Sequence, residues 1–186
     1  MNHMFINGLV NGRAIVRNPE EAIPASPMLT GAERQQLLVD WNSTAVAYSR
    51  KDLCLHQLIE EQAVRTPDQV ALVFEQQKLT YGELNRRASQ IAHHLRGLGA
   101  GPDVLIGLFV ERSLEMVVGI LGILKAGAAY VPIDAAYPQE RIAFILTDAD
   151  VKLLLTQSSL LANVPMGATQ AICLDSFDWD ASRNLG

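Results

Sequence analysis

The sequence has few cysteines and no excess of positive charge, and each scarcity excludes a class of protein. Two cysteines, Cys54 and Cys173, are too few for a disulfide framework, and neither stands at a metal-ligand spacing. With 15 Lys and Arg against 20 Asp and Glu, the net charge is -5. Nucleic-acid binding usually needs a basic face, so we expect no nucleic-acid partner. Reduced cysteines are typical of the cytoplasm, which is the location we expect.

Long apolar runs are also missing. The most hydrophobic stretch, Met116–Leu124, is about half as long as the ~20 residues that a membrane-spanning helix needs, and Lys125 follows it directly. The first residues of the chain contain no apolar segment long enough for a signal peptide. We therefore expect no membrane span. A hydrophobic fraction of 49% over 186 residues fits a soluble α/β protein.

Strand and helix patterns alternate along most of the chain. Strands are predicted at 70–74, 104–110, 129–133, 151–156 and 170–175. The near-continuous apolar run at 104–110 is typical of a central parallel strand that is covered on both faces. Residues 78–80 are a candidate return arm of a hairpin, although the turn before them lacks Gly or Asn. The alternation predicts a parallel sheet flanked by helices and built from right-handed βαβ units.

The predicted helices have recognisable ends. Their starts are marked by residues that can accept a hydrogen bond from the first turn: Thr30, Asp52, Thr80 and Ser113. Glu33 and Glu83 stand three residues after Thr30 and Thr80 and complete two capping-box patterns. Pro138 is predicted at the first position of a further helix. Gly127 is predicted to end the helix over 114–126 in a left-handed conformation, after which a strand begins at once.

Several residues suggest a functional site, but a structural interpretation is favoured for each. The stretch GLGAG, residues 97–101, follows a helix and precedes a strand, which is the reverse of a dinucleotide-binding loop. Lys125 lies in a last helical turn, where compensation of the helix dipole is favoured over phosphate binding. Asp134 and Asp148 are interpreted as turn and helix-end residues rather than general acids or bases. Tyr130 is interpreted as a core residue.

The histidines and helical glycines lead to the same conclusion. His93 and His94 are adjacent, so they point to different faces and cannot form an i, i+4 metal pair, and His56 stands alone. Gly119 and Gly122 lower helix propensity, and close packing against the sheet explains them. The sequence therefore predicts no catalytic, cofactor-binding or metal-binding residue.

Two core segments resemble a known family. LTYGEL (Leu79–Leu84) and LKAGAAYVPID (Leu124–Asp134) are similar to the first and second motifs of amino-acid adenylation domains of nonribosomal peptide synthetases, which are AMP-forming ligases. YPQERI (Tyr137–Ile142) fits the family segment that follows the second motif. The likeness extends from about Leu29 to about Asp175, and its upstream part resembles the linker between a condensation domain and an adenylation domain.

The resemblance implies two regions. Residues 1–50 are expected to be a linker region that resembles the end of a condensation domain and its connection. Residues 51–186 are expected to be the truncated N-terminal portion of an AMP-binding (adenylation) domain, an incomplete part of the large adenylate-forming subdomain. The implied partners are the remainder of the adenylation domain and the condensation and carrier domains of the parent synthetase.

The resemblance also implies a reaction in the biosynthesis of peptide secondary metabolites. ATP and an amino acid give aminoacyl-AMP and pyrophosphate, with magnesium accompanying ATP, and the aminoacyl group passes to the phosphopantetheine thiol of a carrier protein. The family's phosphate loop and catalytic lysine do not occur among these residues. We therefore carry over no catalytic position and expect no catalysis by this chain alone. The alternative is a non-catalytic, stand-alone α/β module that binds a protein partner.

Overall fold

The computed structural model describes residues 29–46, 50, 52–165, 167 and 169–179. These belong to two compact units, Met1–Asp52 and Leu53–Gly186. Most of the region predicted to be a linker, residues 1–28, lies outside the described residues.

In the first unit, a short helix begins at the predicted capping box. Helix α1 spans Gly31–Gln35 and continues as a π-helical turn over Gln36–Asp40. The Thr30 hydroxyl accepts a hydrogen bond from the Glu33 backbone N–H at 3.2 Å, and the Glu33 carboxylate accepts one from the Thr30 N–H at 2.8 Å. The backbone N–H groups of Thr30 and Glu33 are thus both satisfied, and this capping box is confirmed.

The second unit has alternating helices and strands. Its described elements are α2 (Leu55–Arg65), β1 (Val70–Phe74), β2 (Gln77–Thr80), α3 (Tyr81–Gly97), β3 (Leu105–Phe109), α4 (Leu114–Ala126), β4 (Ala129–Pro132), α5 (Gln139–Asp148), β5 (Leu153–Thr156), a 3₁₀ helix (Ser158–Asn163) and β6 (Gln170–Cys173). Strands β1 and β2 form an antiparallel hairpin, which confirms the predicted return arm. Glu75 turns the hairpin with a positive φ of 52°.

The other four strands form one parallel sheet in the order β4-β3-β5-β6. From β3 the chain runs through α4 to β4, which pairs with one side of β3. It then runs through α5 to β5, which pairs with the other side of β3. Right-handed crossovers in opposite directions place α4 and α5 on opposite faces of the sheet. The predicted α/β fold is confirmed, and Pro132 ends β4 at one edge of the described sheet, where its missing N–H costs no ladder bond.

Each face of the sheet has its own apolar core. Side chains of β3 contribute to both cores. Ile106 and Leu108 pack with α3 and α4 on one face, whereas Phe109 packs with α5 on the other. Leu155 and Leu154 divide in the same way on β5. A strand buried on both faces reads as a continuous apolar run, which is why the sequence predicted β3 correctly.

The two glycines of α4 permit close contacts on different sides. A Cβ at Gly119 would lie 3.0–3.4 Å from leucine side chains of the sheet layer, as predicted. A Cβ at Gly122 would lie 2.5 Å from Ile91 Cγ2 on α3, so this glycine packs against a helix and not against the sheet. The interpretation of Gly122 is corrected accordingly.

Two predicted helix starts differ from the structure, and at a third the N-cap is confirmed but the capping box is not. Cys54, not Asp52, is the N-cap of α2, and its N–H donates to Gln57 Oε1 at 2.8 Å. Pro138 is the N-cap of α5 rather than its first helical residue. At α3 the Thr80 hydroxyl accepts from the Glu83 N–H at 3.2 Å, but the Glu83 carboxylate binds two arginines instead of completing the box.

The ends of α4 match their predictions. Ser113 Oγ accepts from the Met116 N–H at 3.3 Å, and Gly127 ends the helix with a φ of 85°. Among the helices of the described ranges, none is both long enough and apolar enough to cross a membrane.

Candidate functional site

A cleft opens at the carboxyl ends of β3 and β4. The loop after β3 leads to α4 on one face, and the loop after β4 leads to α5 on the other, so a crevice forms between them. In open α/β sheets this switch point is the usual place for ligands. The cleft has a volume of about 670 Å³, and its walls include Leu108, Glu111, Arg112, Met116, Asp134 and Tyr137.

One wall is a turn organised by Asp134. Its carboxylate oxygen Oδ1 accepts a hydrogen bond from the Ala136 N–H at 2.9 Å, and its carbonyl accepts one from the Tyr137 N–H at 3.1 Å. The predicted turn role of Asp134 is confirmed. Tyr137 is left 43% exposed beside this turn, where its ring borders the cleft.

The opposite wall is fixed by a side chain that the sequence analysis did not single out. Gln157, directly after β5, accepts a hydrogen bond from the Glu111 N–H at 2.8 Å and donates to Ser113 Oγ at 3.3 Å. Asp175, after β6, accepts from the Ser158 N–H and hydroxyl at 3.0 and 3.1 Å. Three strand ends are therefore joined by side chains on the β3–β5–β6 side, while the cleft lies on the β3–β4 side.

The cleft combines charges of both signs with apolar walls. Arg112, Glu111 and Asp134 are exposed at its edge, and Leu108 is buried at its base. Across the described part of the chain, no three His, Cys, Asp or Glu side chains are grouped so that they could hold a metal ion. The described residues of the cleft thus offer a place for a small molecule.

Lys125 lies in a second polar cluster, away from the strand ends. It is only 8% exposed, and its ammonium group donates to the Glu60 carboxylate and, at 3.0 Å, to Ser89 Oγ. The carbonyl of Lys125, near the end of α4, accepts instead from the Arg96 guanidinium. Arg96 rather than Lys125 therefore meets the negative end of α4, and the dipole interpretation of Lys125 is corrected.

The remaining residues considered from the sequence are spread over the fold. GLGAG stops α3 as predicted, with the Ala100 N–H donating to the Leu95 carbonyl at 2.9 Å and Gly99 at a φ of 96°. Asp148 is the last residue of α5, also as predicted. The core interpretation of Tyr130 is wrong, because β4 lies at an edge of the described sheet and leaves this side chain 40% exposed.

Glu83 has the strongest electrostatic perturbation among the described residues. Hydrogen bonds from Arg86, together with Arg87, lower the pKa of Glu83 from 4.5 to about 2. They outweigh the burial of the carboxyl group, which by itself would raise the pKa. The nearest contacts are 2.7 Å to Arg86 Nη2 and 2.6 Å to Arg87 Nε. This cluster lies on α3, and its ion pairs support the helix rather than a reaction.

Comparison with known proteins identifies the family. The profile of the AMP-binding enzymes, described as "AMP-binding enzyme", matches residues 59–185. The chain belongs to this family. The resemblance to adenylation domains is confirmed.

Several curated relatives of this chain are named as synthases. One subunit of the linear gramicidin synthase of Brevibacillus parabrevis is 50% identical over 89% of the chain, and tyrocidine synthase 3 of the same organism is 55% identical over 80%. The matched segments make up 3% and 2% of these two relatives. The chain thus spans a small part of the proteins it resembles.

Solved structures agree with this assignment. The nonribosomal peptide synthetase FmoA3 is 32% identical, with a TM-score of 0.75 over 94% of this chain and 19% of that chain. The N-terminal subdomain of Klebsiella oxytoca NpsA is 30% identical, with a TM-score of 0.58 over 66% of this chain and 31% of that subdomain. The predicted fold class is therefore confirmed, as one part of a larger adenylation fold.

Proposed function

We propose that this protein contributes the first part of the large subdomain of an amino-acid adenylation domain in a nonribosomal peptide synthetase. The observation that carries the proposal is the TM-score of 0.75 to FmoA3 over 94% of the chain, at 32% identity. Residues 1–50 would be the connection from a condensation domain, and residues 51–186 the beginning of the adenylation domain. The division into units after Asp52 and the start of the family match at residue 59 support this boundary.

The proposed reaction of the complete domain has two steps. A carboxylate oxygen of the amino acid attacks the α-phosphorus of ATP, and the bond to pyrophosphate breaks, which leaves aminoacyl-AMP. The phosphopantetheine thiolate of a carrier domain then attacks the aminoacyl carbon, and AMP leaves. Magnesium accompanies ATP in this scheme. We assign no residue of this chain to either step.

The contribution of this chain is to hold loops in place. Gln157 and Asp175 tie the ends of β5 and β6 to neighbouring segments, so the β3–α4 loop is fixed relative to the sheet. Pre-organised loops at strand ends lower the cost of positioning a ligand. Condensation and carrier domains and the remaining adenylation domain are the proposed partners, and the cytoplasm is the proposed location.

A chimera tests the proposal directly. Residues 53–179 of this chain would replace the matching segment in one adenylation domain of tyrocidine synthase 3, which is 55% identical over the aligned region. We expect the chimera to catalyse ATP–pyrophosphate exchange with the amino acid of the recipient domain. We expect the unfused 186-residue chain to catalyse none with any amino acid.

A variant of the chimera tests whether the hydrogen bonds that hold the β3–α4 loop support activity as well as stability. Gln157→Ala removes both hydrogen bonds to the β3–α4 loop, and we expect a lower exchange rate with an unchanged choice of amino acid. A folded chimera without exchange activity would contradict the scaffold proposal and favour the stand-alone module. ATP–pyrophosphate exchange by the unfused chain would contradict the proposal that the catalytic residues lie outside this chain.

A further inference from the structure

A polar pocket lies where α2, α3 and α4 meet, away from the strand ends. It has a volume of about 290 Å³, and its lining is mainly polar: His56, Gln57, Glu60, Ser89, Arg96 and Lys125. The ammonium group of Lys125 lies at its base and is the most buried of these groups.

The pocket has more hydrogen-bond donors than acceptors. A lysine ammonium has three N–H donors, and Lys125 uses two of them, to Glu60 and Ser89. Arg96 uses its Nη2 for the Lys125 carbonyl. Within the described ranges, no acceptor is assigned to the third Lys125 donor, to the Ser89 hydroxyl or to the other Arg96 nitrogens.

The charges of the pocket point in the same direction. Lys125 and Arg96 are cations, while Glu60 is the one carboxylate among the lining residues, so one positive charge remains uncompensated. Lys125 is buried, and a buried cation attracts an anion more strongly than a surface cation does. Guanidinium and ammonium groups together suit an oxyanion with several acceptor oxygens.

We propose that this pocket binds a phosphate group, held by Lys125, Arg96 and the Ser89 hydroxyl. The ligand would be free phosphate or the terminal phosphate of a small phosphomonoester, since the donors of Lys125, Arg96 and Ser89 suffice for a single phosphate group. The site is separate from the cleft at the strand ends. The proposal therefore does not depend on the adenylation function and can fail without affecting it.

Two charge variants test the site without removing the buried lysine. Gln57→Glu keeps the oxygen that accepts from the Cys54 N–H and adds a negative charge at the first turn of α2, where it favours the helix. It should weaken phosphate binding by about tenfold. Glu60→Gln keeps an acceptor for Lys125 but removes the competing charge, so phosphate should bind about tenfold more tightly.

The measurement is a titration of the isotope-labelled full chain with inorganic phosphate, followed by amide and arginine side-chain NMR shifts. Ionic strength is held constant with sodium chloride. We expect saturable shifts centred on His56, Ser89 and Arg96. A parallel titration with methyl phosphate distinguishes the two sources, because equal affinity indicates a phosphomonoester and selective binding of inorganic phosphate indicates the free anion.

The control is Arg141→Gln, which removes an exposed cation on α5 outside the pocket and should leave the affinity unchanged. Thermal melts of every variant establish that each one is folded. Non-saturating shifts, shifts spread over many basic residues, or equal affinities in the two charge variants would each overturn the proposal.

Discussion

The carboxyl group of Glu83 illustrates how one residue makes stability depend on pH. Its pKa falls from 4.5 in the ordinary state to about 2 in the fold, mainly because Arg86 hydrogen-bonds to the ionised form. A group with a lowered pKa contributes stability above its ordinary pKa and loses that contribution as the pH falls through the folded value. The contribution of Glu83 should therefore be complete above about pH 4.5 and disappear towards pH 2.

We expect Glu83→Gln to lower the free energy of unfolding by about 1 kcal/mol at pH 7, because solvent screens a partly exposed ion pair. The side chain is 31% exposed, so the full shift is not recovered as stability. Urea unfolding at pH 7, 5 and 3.5 should show the difference from the wild type shrinking at the lowest pH. Glu140→Gln, in the first turn of α5, is the control and should change little. A difference that stays constant with pH would show that the arginine pairs are not its cause.

At the scale of elements, the tightest contact is that between α3 and α4. A Cβ at Gly122 would lie 2.5 Å from Ile91 Cγ2 and 2.8 Å from Ile91 Cβ. Gly122→Ala should therefore destabilise the protein by about 1 kcal/mol net, because overpacking costs ~1–3 kcal/mol and the gain in helix propensity returns up to ~1 kcal/mol. Chemical denaturation measures the difference.

A double-mutant cycle separates overpacking from other effects. Ile91→Ala opens space opposite Gly122, so adding Gly122→Ala to it should cost less than in the wild type. Gly97→Ala is the matched control, since nothing lies within 4 Å of a Cβ at this last residue of α3, and it should be neutral or stabilising. Additive effects of Ile91→Ala and Gly122→Ala would contradict the close-contact explanation.

The elements themselves were predictable because their signals are local. The Ser113 cap and the left-handed Gly127 each depend on residues within four positions, and both were predicted correctly. Contacts between distant residues were not predictable: Lys125 meets Glu60, which is 65 residues away, and Gln157 meets Glu111 at a separation of 46. No periodic pattern links such pairs, so the polar pocket and the brace beside the cleft emerged only from the structure.

Strand order is a second property that periodicity leaves open. The alternation of strands and helices predicts a parallel sheet, but it does not predict which strands lie at its edges. Tyr130 looked like a core residue because it stands in an apolar strand, and the order β4-β3-β5-β6 places that strand at an edge. The capping box at Thr80 failed for a similar reason, since two arginines compete for Glu83.

At the scale of the whole second unit, the sheet order predicts how protection against hydrogen exchange is distributed. Strands β3 and β5 have partners on both sides and apolar layers on both faces, whereas β4 has β3 as its single described neighbour. Amides that open only with the entire core exchange most slowly. We expect Ile106–Phe109 and Leu153–Leu155 to be the slowest group, and Ala129–Val131 to exchange faster.

A core substitution shows whether these central strands open as one cooperative unit. Leu154 is fully buried between β3 and α5, and Leu154→Ala should lower the opening free energy of β3 and β5 together by about 2–5 kcal/mol. Leu161→Ala, on the exposed 3₁₀ helix, is the control and should leave both strands unchanged. Native-state exchange followed by NMR or mass spectrometry measures each segment. If β4 were protected as strongly as β3, its place at the edge of the described sheet would not set its exchange rate. If Leu154→Ala loosened β5 alone, β3 and β5 would not open as one cooperative unit, because neighbouring strands that share both core layers must lose them together.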